Sequence, residues 1–375
     1  MCFGIWYYRK RQKAKERSLQ DYLYGGKNSM DLLEAILLEE DMLVVSAMCE
    51  EIEITEADEM GEALCTIFET KGAVMRLLKK MIDDEIAESD SAGTLFRGNS
   101  VASKTMKAYS KLIGLDYLKV VLRDLVLQVS ENVGMYEVDP RKLPEGDNLD
   151  ENWDRLKEAS QQFLDAITDS VDKCPLEFRE LCHYMLTQIE TKFPDFKNAI
   201  TYVGGFMFLR FFVPAITSPE GYDVIESAPS LEARRGLILI SKGLQNLSNG
   251  VQFGSKEAYM MPMNEFIIRN LHGVKQFLEA IAQVPADVEP TFTEITEIEK
   301  LEALNSVHRL VFVNQQPIVE WLEREQGDDD SKEKAEKPLK EFERLMDEYD
   351  ADDYEQVFIR VRESSRSVEL GLSLL

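Results

Sequence analysis

Histidine is scarce in this chain, three in 375 residues, and His272 and His308 stand isolated from any other ligand type. No HExxH, GxSxG, GxGxxG or GxxxxGK[ST] string occurs. The fragment GGKNS at Gly25 to Ser29 lacks the first glycine and the spacing of a phosphate loop. The standard catalytic signatures are therefore missing. Paired carboxylates such as Asp83–Asp84–Glu85 are common in so acidic a chain and single out no acid/base pair. Cysteine is also sparse: Cys2, Cys49, Cys65, Cys174 and Cys182 are odd in number and contain no CxxC. With no secretory signal, they read as reduced thiols of a cytoplasmic protein. Cys174, Cys182 and His183 lack a fourth ligand at usable spacing, so packing is expected there and no metal site.

Positive charge is short as well. Against 69 Asp+Glu stand 43 Lys+Arg, a net charge of −26. That balance disfavours nucleic acid as a partner, because affinity for a phosphate backbone comes mainly from clustered Lys and Arg. Any anionic ligand has to be met by a local exception. What the chain does have is apolar residues, 44%, with 30% charged, enough to bury a substantial core and too apolar for a disordered chain.

Strand signals are nearly absent and helical periodicity runs through most of the length. Leu32, Leu33, Ile36 and Leu37 share one face from about Ser29, and Leu64, Ile67 and Phe68 followed by Val74, Leu77, Leu78, Met81 and Ile82 continue the period. Further amphipathic segments are expected at 100–113, 117–129, 152–170, 176–192, 196–212, 231–249 and 266–282, separated by Pro140, Pro144, Pro194, Pro214, Pro219 and Pro262. The fold class expected is all-α: one large helical domain over 29–325, a basic and aromatic lead-in over 1–28, and a charged tail over 326–375. In the tail, Gly327 to Lys337 reads as a solvated linker, with a helix around Lys340 to Tyr349 that either docks or stays loose.

Two segments invite a membrane reading. Residues 1–30 carry seven Lys/Arg and two Asp/Glu. Trp6, Tyr7 and Tyr8 beside Arg9, Lys10 and Arg11 fit either a solvated lead-in or a peripheral membrane contact through residues 1–20. Ala199 to Ile216 holds 18 residues with a single charge, Arg210. A buried central helix is expected for it, since a mid-bilayer arginine is costly, and a buried guanidinium requires acceptors.

The local exception in charge lies further upstream. Residues 83–90 contain five acids and no base, whereas 91–123 contain six bases and only Asp116 as an acid. At the boundary sits SAGTLFRGNS, in which Ser91, Gly93 and Gly98 break the helix. Arg97 is then expected at a loop tip, with Leu95 and Phe96 anchoring the loop beneath and Asn99 or Ser100 capping the next helix. The planar, permanently charged arginine fork suits phosphate oxygens. By spacing alone, an ordinary surface arginine in an interhelical turn is the favoured reading.

TLFRGNSVASK (Thr94 to Lys104) resembles the finger loop of the Ras GTPase-activating domain family, which includes neurofibromin. FLRFFVPAITSP (Phe208 to Pro219) resembles its second signature and LISKGLQNLSN (Leu239 to Asn249) its third, in the family's order over roughly residues 29–320. The resemblance implies that Arg97 is an arginine finger acting in trans on a Ras-like small GTPase, and that Arg210 holds the finger loop through its backbone. It further implies that Leu95, Phe96, Lys242, Gln245, Asn249, Pro214 and Ala215 meet the GTPase. For Phe208 and Leu209, core packing is expected. Val213 and Ile238 depart from the residues commonest at their positions. The chain would need no cofactor of its own, since GTP and magnesium belong to the partner, and it would be an activator and not an independent enzyme. The rival reading is a non-catalytic scaffold that holds the GTP-loaded partner in the same groove. Some relatives with this fold lack the arginine.

Overall fold

Amphipathic periodicity becomes helix almost throughout. The computed structural model describes residues 27–92, 95–96, 100–132, 136–285, 293–325 and 329–347, and no strand occurs among them. Residues 1–20, proposed above as a lead-in or membrane contact, lie outside the described residues. In chain order the helices begin with α1 (Lys27–Leu37), α2 (Leu43–Glu51), α3 (Ala57–Glu69), α4 (Val74–Glu88) and α5 (Val101–Glu131). They continue with α6 (Leu149–Thr168), α7 (Leu176–Lys192), α8 (Ile200–Thr217), α9 (Leu231–Ser248) and α10 (Asn264–Ile281). The last three are α11 (Glu297–Val313), α12 (Gln315–Glu325) and α13 (Asp329–Asp347).

These helices fall into two compact units, one drawing on Met1–Lys71 and Ile295–Leu375, the other on Gly72–Glu294. In the first, α3 packs along α11, α2 along α12, and α13 along α12 and α1. Its core is largely aliphatic: Leu33, Ile36, Leu64, Ile67, Val307, Leu310, Ile318 and Leu322 are all buried. A capping box starts α11, with Thr296 and Glu299 exchanging side-chain-to-backbone bonds. Arg309 bonds Glu56 at 3.0 Å and Glu59 at 2.8 Å, tying α11 to the start of α3. The tail departs from expectation. Helix α13 begins at Asp329, where a linker over Gly327 to Lys337 was expected, and buries Phe342 and Leu345. Lys337 bonds Glu39 at 2.7 Å. From Glu336 onward the helix is amphipathic, with Glu336, Lys337, Lys340, Glu343 and Arg344 exposed opposite buried Phe342 and Leu345.

The second unit is organised around α8. This helix is long and apolar enough to cross a membrane by length and composition, but it serves as a core helix. Phe206, Met207, Phe208, Phe211 and Phe212 are all buried. Phe178 of α7 meets Phe206 and Phe211 edge-on at centroid distances of 5.7 and 4.8 Å, and Tyr117 of α5 stacks on Phe211 at 6.0 Å. Helix α5 runs unbroken through the gap expected between 113 and 117, because Gly114 is a contact point and not a breaker. A Cβ there would stand 2.4 Å from the Phe211 ring. Similarly, α8 passes through Pro214 and ends at Thr217, five residues beyond the expected end. Gly205–Phe212 is wound as a π-helix, with the Val213 N–H reaching the Phe208 carbonyl. This wider winding is a feature that recurs at functional sites.

Candidate functional site

The site is built on three elements of the second unit: the loop between α4 and α5, the outward stripe of α8, and one face of α9. Arg97 itself, with Gly93, Thr94, Gly98 and Asn99, lies outside the described residues. The residues that bracket it are well placed. Ser100 caps α5, its hydroxyl accepting the Ser103 N–H at 3.2 Å. Leu95 and Phe96 are 0% and 4% exposed, and the Phe96 ring meets Tyr202 of α8 edge-on at 6.3 Å. Anchoring is thus what their side chains do. With both side chains buried, any contact of these two residues with a GTPase would run through their backbone.

Phe96 has φ of +50°, a conformation in which a side chain crowds its own backbone. Both polar groups of the residue are engaged. Its N–H donates to Glu85 Oε1 at 2.6 Å, and its carbonyl oxygen accepts from Arg210 Nη2. Upstream, the Tyr202 hydroxyl donates to the Ala92 carbonyl. Lys192 of α7 donates to the Ile86 and Ala87 carbonyls, satisfying the end of α4 from which the loop departs.

Arg210 sits on the only outward stripe of α8 among the described residues, a row formed by Thr201, Gly205, Leu209, Arg210, Pro214 and Thr217. Its guanidinium lies over Gly205, where a Cβ would come within 4.0 Å of Nη1. Burial pulls the Arg210 guanidinium below its ordinary pKa while the Glu85 carboxylate opposes the shift. It remains charged at neutral pH. Leu209, expected in the core with Phe208, is 37% exposed beside it. The π-winding turns this pair outward between two buried aromatic clusters. Pro214 shares the stripe, but Ala215 is fully buried. Ala215, which the resemblance places at the GTPase, faces inward in the chain alone.

Helix α9 presents Ile238, Lys242, Gln245 and Asn249 on one half-exposed to exposed face, the i, i+4, i+7, i+11 row of a helix. Ser230 caps its start. Arg234 fastens it to the end of α8, donating to the Thr217 carbonyl at 2.8 Å and to Glu220 at 2.6 Å. Arg235 forms a two-pronged pair with Glu137 at 2.9 and 3.1 Å. Lys242 is not a bare cation. Its ammonium bonds Glu257 in the segment Ser255–Met263. Burial works against its charge, yet Glu257 and neighbouring Tyr259 outweigh it and hold Lys242 above its ordinary 10.5. Helix α8 packs on α9, which joins the loop support to this face.

Glu85 is the residue that sequence reasoning passed over, lost among five acids in 83–90. One signal was available: it falls in the last turn of α4, where a carboxylate opposes the helix dipole and needs a compensating partner. Elsewhere, Cys174 and Cys182 are buried and the His183 Nδ1 donates to the Ala282 carbonyl at 3.0 Å.

The family model described as GTPase-activator protein for Ras-like GTPase matches residues 77–147 and 144–249, which span all three elements. Residues 77–249 of the chain thus carry a region of the Ras GTPase-activating family. It is 35% identical over 268 residues, 71% of its length, to a probable Ras GTPase-activating-like protein ngap of Dictyostelium discoideum. It is 34% identical over 298 residues, 74% of its length, to neurofibromin-A of the same organism. Human Ras GTPase-activating protein 1 matches at 32% over 250 residues, 66% of the chain. The chain spans only 30%, 31% and 24% of the lengths of these three relatives. The matched region lies in the second unit and runs through α9, with the loop brackets at Phe96 and Ser100, the α8 stripe and the α9 face all inside it.

Proposed function

We propose that this chain switches off a Ras-like small GTPase by stimulating its GTP hydrolysis, with Arg97 acting in trans as an arginine finger. The observation that carries this reading is the hydrogen bond from Arg210 to the Phe96 carbonyl. That carbonyl belongs to the peptide group joining Phe96 to Arg97, so the arginine on the α8 stripe fixes the point from which residue 97 departs. Lys242, Gln245 and Asn249 line the face of α9 that receives the partner, and Pro214 borders it. GTP and magnesium are the partner's, and this chain needs no cofactor.

Hydrolysis builds negative charge on the phosphoryl oxygens and the leaving group. A guanidinium held against that charge, in a site from which docking excludes water, stabilises the transition state more than the ground state. The chain is therefore an activator that contributes one cation and the frame that aims it. The Ras GTPase-activating region over residues 77–249 and the intact TLFRGNS string support activation over a purely holding role.

Single-turnover GTP hydrolysis by purified Ras-family GTPases tests it. Arg97→Ala is expected to leave folding and complex formation nearly intact while removing most of the stimulation. Roughly 10³- to 10⁵-fold, the range known for arginine fingers in this class of reaction, is adopted as the expected loss. Full activity in the variant would remove the assignment. Binding of the GTP-loaded partner without acceleration by the wild-type chain would assign a scaffold instead.

A further inference from the structure

We infer that Glu85 is a positioning residue for the stimulated reaction, an inference that rests on the arginine-finger reading of Arg97. Its two carboxylate oxygens serve two residues on opposite sides of position 97. Oε1 accepts the Phe96 N–H at 2.6 Å and Oε2 accepts the Ser100 hydroxyl at 2.6 Å. Ser100 in turn accepts the Ser103 N–H, so the same carboxylate reaches into the capped first turn of α5. One side chain thereby staples the departure of the chain at Phe96 to its return at Ser100.

The staple and Arg210 act on the same residue from opposite sides. Glu85 takes the N–H of Phe96, Arg210 takes its carbonyl, and the positive φ of +50° at a residue with a large side chain is held between them. Charge–dipole bonds of this kind are stronger than neutral ones, and both are fixed by elements with independent support. Glu85 is on α4, whose final carbonyls Lys192 covers, and Arg210 is on the aromatic-packed α8. The Glu85 carboxylate is also the negative charge that offsets the half-buried Arg210 guanidinium. Removing it loosens the finger-loop brackets and leaves Arg210 without that balance. Misplacement of a catalytic group by about 1 Å costs on the order of 10²-fold in rate.

The test is single-turnover GTP hydrolysis by a Ras-family GTPase with the full chain, comparing Glu85→Ala, Glu85→Gln, Arg97→Ala and the double variant Glu85→Ala/Arg97→Ala. Glu85→Ala is expected to lower the stimulated kcat by about 10- to 100-fold with KM changed less than about threefold. Glu85→Gln is expected to recover most of the rate, because its carbonyl oxygen still accepts from Phe96 and its amide can donate to the Ser100 oxygen. In the Arg97→Ala background, Glu85→Ala should produce no further loss, since the staple acts through the finger. An undiminished kcat in Glu85→Ala, or an equal loss on top of Arg97→Ala, overturns the inference while leaving the finger standing. Full activity of Arg97→Ala overturns the function and this inference with it. Should Glu85→Ala fail to fold, Ser100→Ala, which cuts one arm of the staple, is read by the same kcat-against-KM split and the same double variant.

Discussion

The two units are built from similar helices and hold together differently. The first has a largely aliphatic core, in which Phe68, Trp321 and Phe342 are buried rings and His308 is sealed at 1% exposure. The second is centred on rings, with Tyr117, Phe178, Phe206, Phe211 and Phe212 converging on the π-wound part of α8. Every string that resembled the family, and the whole of the region matched by its model, falls in the ring-centred unit. The difference teaches that the aromatic packing is part of the site's machinery. Rings have few rotamers and large contact areas, so they hold α8 in a winding that turns Arg210 outward.

The largest break in this comparison comes from Phe211→Ala. The ring is fully buried, fills the notch left by Gly114 and touches both Tyr117 and Phe178. Loss of about 3–5 kcal/mol is expected, measured by urea denaturation of the full chain. At temperatures where the variant is still folded, its stimulated hydrolysis should also fall, because Arg210 precedes Phe211 on the same winding. A stable variant with unchanged activity would show that the ring cluster does not position the stripe.

For the aliphatic unit the sharper probe is acid. Burial holds His308 at about 4, below its ordinary 6.5. Below 6.5 the unfolded chain takes up a proton that the folded chain refuses, so stability falls with pH through this window until the folded histidine itself titrates near 4. At about 1.4 kcal/mol per pH unit, the interval from 6.5 to about 4 amounts to roughly 3 kcal/mol. Denaturation midpoints between pH 7 and 4 should fall less steeply in His308→Gln than in wild type, whatever the absolute stability of the variant. Parallel slopes would place the acid sensitivity elsewhere.

Much of this was legible in the sequence where local physics decides. The bounds of α7 match the expected 176–192, the Ser100 cap follows from an unpaired helix start, and α9 runs from Leu231 as its periodicity requires. Readings failed where a distant partner overrides a local rule. Gly114 looks like an interruption until the Phe211 ring is set against it, and Pro214 looks like a stop until the π-winding relaxes the demand for its missing N–H. Leu209 reads as core because its neighbours are. Glu85 is invisible among like charges because its partners lie eleven and fifteen residues away in sequence. Leu95, Phe96 and Ala215 belong to the right strings, but only three-dimensional packing shows that their side chains turn inward.

The smallest expected effect sharpens what the α9 face contributes. Lys242 is paired to Glu257, both about one-third exposed, and such pairs add little to stability, typically below about 1 kcal/mol. Glu257→Gln should therefore leave the denaturation midpoint nearly unchanged. Its effect on a partner should be larger than its effect on folding. If Lys242 meets an acidic patch on the GTPase, Glu257 competes for it, and neutralising Glu257 frees one positive charge on the receiving face. Association should then tighten by less than about tenfold and become more salt-dependent, since rim charges act mainly on association rate and its screening. Titration of the GTP-loaded partner at low and moderate salt measures both. Weaker binding in Glu257→Gln would mean the opposite arrangement, with Glu257 orienting Lys242 for the partner in the way Glu85 is inferred to hold Phe96.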